Sequence, residues 1–319
     1  MNRPSVAIVL LNWNSFNYTN DCLVSLDQIN YDNVEIVVVD NASSDDSLKE
    51  LELTHPNVTY IKNGENLGFT GGNNVGIEYA LEKDNEYVLL LNNDTLVDPD
   101  FLSELVDSIH QDPMVAAVQP KIYYNHDRSL IWHAGGKYFP ALTYSQSLGN
   151  NKEDSLEFNT EKHVDWITCC ALLVKTEVIK EVGMLSDLFF YGCYDDVELS
   201  LRIRKAGYNL KYCPKSIIYH AVLAAARGDD KNKEGVIKPY FHYLVNRNHL
   251  ILLRLQKNYF YKLSGFIFQL LKIVSYVVYF AVRMRPRKFK ACIHGFYHGI
   301  SKPLNPELLN HKHYIDLYK

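Results

Sequence analysis

The chain has 319 residues, of which 47% are hydrophobic and 22% charged, so it can bury a sizeable core in one large domain or two smaller ones. Its net charge of −4 hides a split: from Pro239 onward 13 Lys/Arg face only Glu307 and Asp316, leaving 20 basic and 35 acidic residues before that point. An acidic front does not attract nucleic acid, and six cysteines without a CxxC pair or a histidine at zinc-finger spacing exclude a zinc module and point to a reduced compartment.

In chain order, residues 6–11 form a short, fully apolar run, as a buried parallel strand should. No leader pattern precedes it, which makes the cytoplasm the expected location. Residues 16–30 suit a helix, 34–39 a second strand ended by Asp40, and 44–53 a short helix with acidic residues near its start. A third strand is predicted over 58–61, a glycine-rich turn follows, then a helix over 73–83 and a fourth strand over 87–91. Strands alternating with helices predict βαβ units and a mostly parallel sheet. Right-handed crossovers bring Asn12, Asp40, the Asn66 loop and Asn92–Asp94 to one sheet edge. Further strands are predicted over 115–119 and 217–219, a helix over 195–206, and a polar loop over 224–238.

Several motifs fall on that edge. LLLNNDTL (89–96) ends a strand in a polar cluster with Asp94, at the position where open α/β sheets bind ligands. VVVDNASSDDS (37–47) puts Asp40 at a strand end; its Asp and Ser can cap the next helix, or the carboxylate can accept from a base imide or a ribose hydroxyl. GENLGFTGGNNVG (64–76) is neither a dinucleotide fingerprint nor a P-loop; it suits a flexible turn, or close backbone approach to a ligand at a helix N-terminus. In YDDVELSLR (194–202), Asp195 with Glu198 fits a capping box and Glu198 with Arg202 a solvated i,i+4 pair, which leaves the neighbouring carboxylate spare as a base.

In their order and spacing, LLNWNS, VVDNASSD, NLGFTGGNN, LLLNNDT, the W-x3-C-A-L-L-V run and YDDVELSLR followed by YH resemble the family 2 glycosyltransferases, above all the bacterial rhamnosyltransferase-like subgroup. The resemblance covers roughly residues 5–300. It implies an α/β GT-A fold and inverting transfer from a nucleotide-sugar donor (dTDP-rhamnose or a UDP-hexose) to a glycan or polyprenyl-linked glycan acceptor, as in surface polysaccharide synthesis. It assigns Asp94 and His220 to a divalent metal, Mn2+ or Mg2+, with Asn92 standing where the family has its first acidic residue. It assigns Asn12, Asp40, Asn66, Gly68, Asn73, Asn92 and Asn93 to the donor, Trp166 to the acceptor, and the base to Asp196 or its rival Asp195. Cys169 departs from the family's usual glycine, which bears on the acceptor pocket. The domains implied are a catalytic region over 1–238, with a donor half (1–110) and an acceptor half (111–238), and a basic helical region over 239–319.

Two other roles share features with this sequence. A sugar-phosphate nucleotidyltransferase needs a basic, glycine-rich loop after the first strand, and LLNWNSFN has none. An inactive membrane-bound scaffold is the second; Asp94 and Asp196 argue against it. Residues 263–282 are about long enough to span a membrane, but Gly265, Gln269, Lys272, Tyr276, Tyr279 and Arg283 draw a polar stripe. That stripe predicts a helix lying in the interface, with RMRPRKFK (283–290) meeting anionic headgroups; a homodimer interface is the alternative use. His294 and His298, at i,i+4, read as interfacial residues.

Overall fold

The computed structural model of the chain describes residues 3–222, 237–309 and 318. The predicted loop at 224–238 falls outside them except for its last two residues. Two compact units are present. The first comprises Met1–Lys137, Gln146–Leu185 and Asp195–Val222; the second comprises Tyr138–Ser145, Ser186–Tyr194 and Leu223–Lys319. Two short excursions, 138–145 and 186–194, therefore group with the C-terminal region.

The first unit opens with β1 (Val6–Asn12), α1 (Phe16–Leu26), β2 (Val34–Asp40), α2 (Ser47–Thr54), β3 (Thr59–Lys62), α3 (Gly68–Glu82) and β4 (Tyr87–Leu91). It continues through β5 (Thr95–Val97), α4 (Phe101–His110), β6 (Val115–Tyr124) and β7 (Leu130–His133). A separate ribbon, β8 (Gly136–Phe139) and β9 (Tyr144–Ser147), precedes β10 (Lys152–Glu153), β11 (Lys162–Val164), β12 (Ala171–Lys175), α5 (Thr176–Val182), α6 (Asp195–Lys205) and β13 (Asn209–His220).

The main sheet runs β10-β7-β6-β12-β4-β1-β2-β3, with β13 joined to β6, β5 and β11. Strands β4, β1, β2 and β3 are parallel, as predicted. Val6–Leu10 and Val37–Val39 are fully buried because helices cover both faces. One apolar cluster joins the sheet to α1 and α4; the other joins it to α3, α5 and α6. Strand β12 runs antiparallel between β4 and β6, so the loop before it meets the carboxyl end of β4.

Three predictions change. The glycine-rich stretch is helix from Gly68, not a turn. A Cβ on Gly76 would lie 2.2 Å from Val9, and one on Gly72 2.4 Å from Leu11. These glycines let α3 seat closely on the sheet, and that packing outweighs their poor helix propensity. The strand predicted over 217–219 is the end of the twelve-residue β13, whose register shift between Cys213 and Ile217 absorbs Pro214. The Glu198–Arg202 pair is not solvated: Arg202 also donates to the carbonyls of Val182, Gly183 and Met184, pinning the loop after α5.

The second unit contains α7 (Pro239–Leu255), α8 (Tyr259–Val282), α9 (Pro286–Ser301) and α10 (Pro306–Leu309). Helix α9 packs tightly on α7; a Cβ on Gly295 would lie 2.4 Å from the Tyr243 carbonyl oxygen. His298 is buried against Tyr243, and His294 pairs with Tyr318, so the two histidines are internal packing groups rather than interfacial ones. Helix α8 is long and apolar enough to cross a membrane, with 22% of its most apolar window buried. The first half of its predicted polar stripe faces the protein, whereas Tyr279 and Arg283 are exposed. Gln269 is fully buried and donates to Asn246, and Gly265 sits against Leu253 and Thr143. The face turned outward is apolar: Leu263, Ile267, Leu271, Val274, Val278 and Val282 are each at least half exposed.

Candidate active site

The carboxyl edge of the first unit's sheet carries three linked clusters. At the ends of β1 and β2, Asn12 and Asp40 are register partners. Asn12 Nδ2 donates to Asp40 Oδ1 (2.9 Å) and accompanies Ser43 and Ser47 hydroxyls at 3.3 and 3.2 Å. Thr19 donates to Asn12 Oδ1, and Asn93 Nδ2 donates to Thr19 at 2.7 Å. Asp40 accepts further from the Ser43 hydroxyl and amide. With only 1% exposure, Asp40 acts as a floor that fixes the 41–44 turn, where Ala42 holds φ +58°.

Asn41 ties in the second loop. Its Nδ2 donates to Asn66 Oδ1 and the Gly68 carbonyl, while Leu67 N and Asn63 Nδ2 donate to its Oδ1. Asn66 also accepts from the Gly68 amide, so Gly68 serves the loop's own network, with φ +71° that suits glycine. Asn73 is buried, and its side chain donates to the Phe69 carbonyl within α3.

At the end of β4, Asn92 N donates to the Cys170 carbonyl, and its side-chain nitrogen lies 3.5 Å from His220 Nε2. His220, delivered by β13, is 3.0 Å from Asp94 Oδ1, with side-chain exposures of 6% and 14%. The Trp132 ring stands edge-on to His220 with centroids 4.5 Å apart. Asp94 and His220 offer one carboxylate and one imidazole. No cluster of three His, Cys, Asp or Glu occurs among the described residues. Two protein ligands fit a divalent cation that keeps waters and takes its remaining oxygens from a diphosphate.

Beyond Cys170, the 166–170 loop reaches the start of α6. Asp195 is buried and its Oδ2 has no partner; Asp196 is partly buried, and Val197 N donates to its Oδ1 at 2.8 Å. The capping box is absent, because Glu198 turns to Arg202. Burial pushes Asp196 up to about 6, opposed by hydrogen bonds from Val197 and Thr168. Burial and the Asp196 charge raise Asp195 well above the carboxylate range. Cys169 is buried beside this pair; burial and the Asp195 charge push its thiol up. The departure from glycine thus bears on the acid pair.

Trp166 is largely enclosed. At 7% exposure its ring fills the space over Gly136, where a Cβ would come within 2.1 Å, and its Nε1 donates to the Lys137 carbonyl. The residues that sequence reasoning missed are Thr19, Asn41, Ser43, Trp132, Thr168 and the Gln119–His133 pair. Gln119 Nε2 donates to His133 Nδ1 at 3.0 Å, and Thr168 N donates to Gln119 Oε1. Asn41 and Ser43 were visible beside Asp40 in DNASS; the others carry no local pattern.

Comparison with known proteins identifies the family and the fold. The sequence profile of Glycosyl transferase family 2 matches residues 5–180. The Low-salt glycan biosynthesis hexosyltransferase Agl10 of Haloferax volcanii is 32% identical over 185 residues, 56% of this chain and 56% of its own length. The chain thus spans just over half of that relative. An N-acetylglucosaminyl-diphospho-decaprenol L-rhamnosyltransferase of Mycobacterium tuberculosis is 25% identical over 67% of this chain and 76% of its own. Among solved structures, GalNAc-T7 with UDP, GalNAc and Mn2+ superposes with a TM-score of 0.60 at 14% identity, covering 81% of this chain and 50% of that one. The chain belongs to glycosyl transferase family 2, and its fold is GT-A.

Proposed function

We propose that this protein transfers a sugar, with inversion, from a nucleotide-diphosphate donor to a hydroxyl of a glycan or lipid-linked glycan. The observation that carries this reading is the meeting, through the 168–170 loop, of two unlike clusters. Asn92 bonds Cys170 on one side, and Thr168 bonds Asp196 on the other. One cluster is an Asp94–His220 pair; the other is a buried carboxylate pair of raised proton affinity. A single displacement needs a leaving diphosphate held on one side and a base on the other. The L-rhamnosyltransferase and hexosyltransferase relatives make dTDP-rhamnose the first donor to test and UDP-hexoses the next.

In this mechanism Asp94 and His220 would hold Mn2+ or Mg2+. When bound, the cation neutralises charge on the leaving diphosphate. Asn12, Asp40 and Asn41 keep the nucleoside wall rigid, and Asn66, Asn92 and Asn93 line it. Asp196 takes the acceptor hydroxyl's proton; its burial keeps that carboxylate basic. The test is Asp196→Asn. Nucleotide-sugar binding by thermal shift with Mn2+ should persist, while turnover falls about 10²–10⁴-fold. Turnover at the wild-type rate would overturn the base.

We also infer peripheral docking on an anionic membrane through the second unit. Support comes from the outward apolar face of α8 and from the exposed Arg283, Arg287 and Lys290 that follow it, with no acidic residue between 239 and 306. Gly265 and Gln269 pack on protein, so α8 is held along one flank at its first half. Co-sedimentation with phosphatidylglycerol vesicles should be strong at low salt and lost in Leu271→Asp/Val278→Asp. Equal binding by that variant would remove α8 from the contact.

A further inference from the structure

The stretch that leads into the acid pair is held in an unusual backbone conformation. Gly192, Cys193 and Tyr194 have φ of +84°, +69° and +71° in succession. For the two non-glycine residues the left-handed region is unfavourable, because Cβ crowds the following carbonyl oxygen. Such strain persists only where surrounding structure enforces it. Asp195 and Asp196 follow directly in the chain.

The enforcing contacts come from α7, within the second unit. Asn248 is fully buried, and its Nδ2 donates to the carbonyls of both Gly192 (2.8 Å) and Cys193 (2.9 Å). Its amide cannot be reversed, because Arg247 Nε donates to Asn248 Oδ1 at 2.7 Å. Arg247 is itself buried, with Nη1 on the Leu309 carbonyl. On the next residue, His249 Nδ1 lies 3.2 Å from the Tyr194 hydroxyl. Three consecutive residues of α7 thus form a chain of hydrogen bonds that ends on the strained turn.

We infer that Asn248, oriented by Arg247, is a positioning residue for the catalytic base: it holds the Gly192–Tyr194 turn left-handed and so fixes how α6 begins. This rests on the assignment of Asp196 as base. A side chain that only fills space would not need two donor hydrogens aimed at two successive carbonyls.

The decisive variant is Asn248→Asp. An aspartate still accepts from Arg247, so the fold is kept, but it cannot donate to either carbonyl. The second variant adds Cys193→Gly, since glycine adopts positive φ freely. Two readouts are used on the full chain. The first is the titration of Asp196 by carboxyl 13C NMR, identified by its loss in Asp196→Asn. The second is dTDP or UDP release from dTDP-rhamnose or UDP-GlcNAc with Mn2+. In Asn248→Asp the loosened turn should admit water, and the Asp196 titration should move from about 6 toward the ordinary carboxylate range. Turnover should fall ten- to a hundredfold with KM for the donor unchanged, and Cys193→Gly should restore part of both. An unchanged titration in Asn248→Asp, or a loss that Cys193→Gly does not relieve, overturns the inference. If Asp196→Asn remains active, the base assignment fails instead. If Asp196→Asn is inactive while Asn248→Asp behaves as wild type, only the positioning role fails.

Discussion

The two ends of the candidate site treat buried polar groups in opposite ways. At the ends of β1 and β2, both side-chain polar atoms of Asn12 and both carboxylate oxygens of Asp40 have partners. At the start of α6, Asp195 is buried with one oxygen unpartnered and a second carboxyl as its neighbour. A satisfied network is rigid and stable, which suits the nucleoside wall proposed there. An unsatisfied acid pair costs stability and keeps its proton affinity high, which suits the proposed base. Rigidity and reactivity are thus separated along one sheet edge.

The largest expected effect comes from breaking the reactive end. Asp196→Asn should lower turnover by about 10²–10⁴-fold while the melting temperature holds or rises, because a buried charge is removed. A parallel fall in melting temperature would mean that the pair is structural. The reverse pattern is expected at the wall. Asn12→Ala leaves Asp40 and Thr19 short of partners and should cost about 1–3 kcal/mol of stability, measured by urea unfolding. An unchanged midpoint would show that the network carries no stability.

Acidity sharpens the same contrast. Asp196 is raised to about 6 by burial, so turnover should rise as pH increases through that value. Stability should move the other way. A carboxyl whose folded value lies above its unfolded one, near 3.8, makes the folded state the better proton binder between the two. Its contribution is present below the unfolded value and is lost as pH rises through about 6. Asp195 acts in the same direction. Asp195→Asn should flatten this dependence in melting temperature against pH; an unaltered slope would assign it to other groups.

The parallel strands were legible because burial on both faces leaves short apolar runs, and their polar ends marked the site edge. Asp94, His220 and the Asp195–Asp196 pair were legible as a motif order. The failures have physical causes. Gly71 and Gly72 read as a turn because propensity is local, whereas the packing of Gly72 on Leu11 is not. Periodicity drew the stripe on α8 correctly but could not say which side meets protein, and Gln269 turned inward to reach Asn246. Trp166 and Trp132 look alike in sequence. Only the fold buries the first over Gly136 and sets the second against His220.

That last distinction makes the smallest prediction. The half-buried Trp132 meets His220 edge-on, where an aromatic contact is worth roughly 0.5–1.5 kcal/mol. Its role would be to hold the imidazole toward Asp94. Trp132→Leu keeps most of the volume and removes the ring, so stability should change little. The Mn2+ concentration giving half-maximal thermal stabilisation by UDP should rise about two- to tenfold, the same energy expressed as affinity. Trp166→Leu should do the converse, opening space beside Gly136 and lowering stability with no change in Mn2+ dependence. If the two variants behave alike, Trp132 is core, and His220 is held by Asp94 alone.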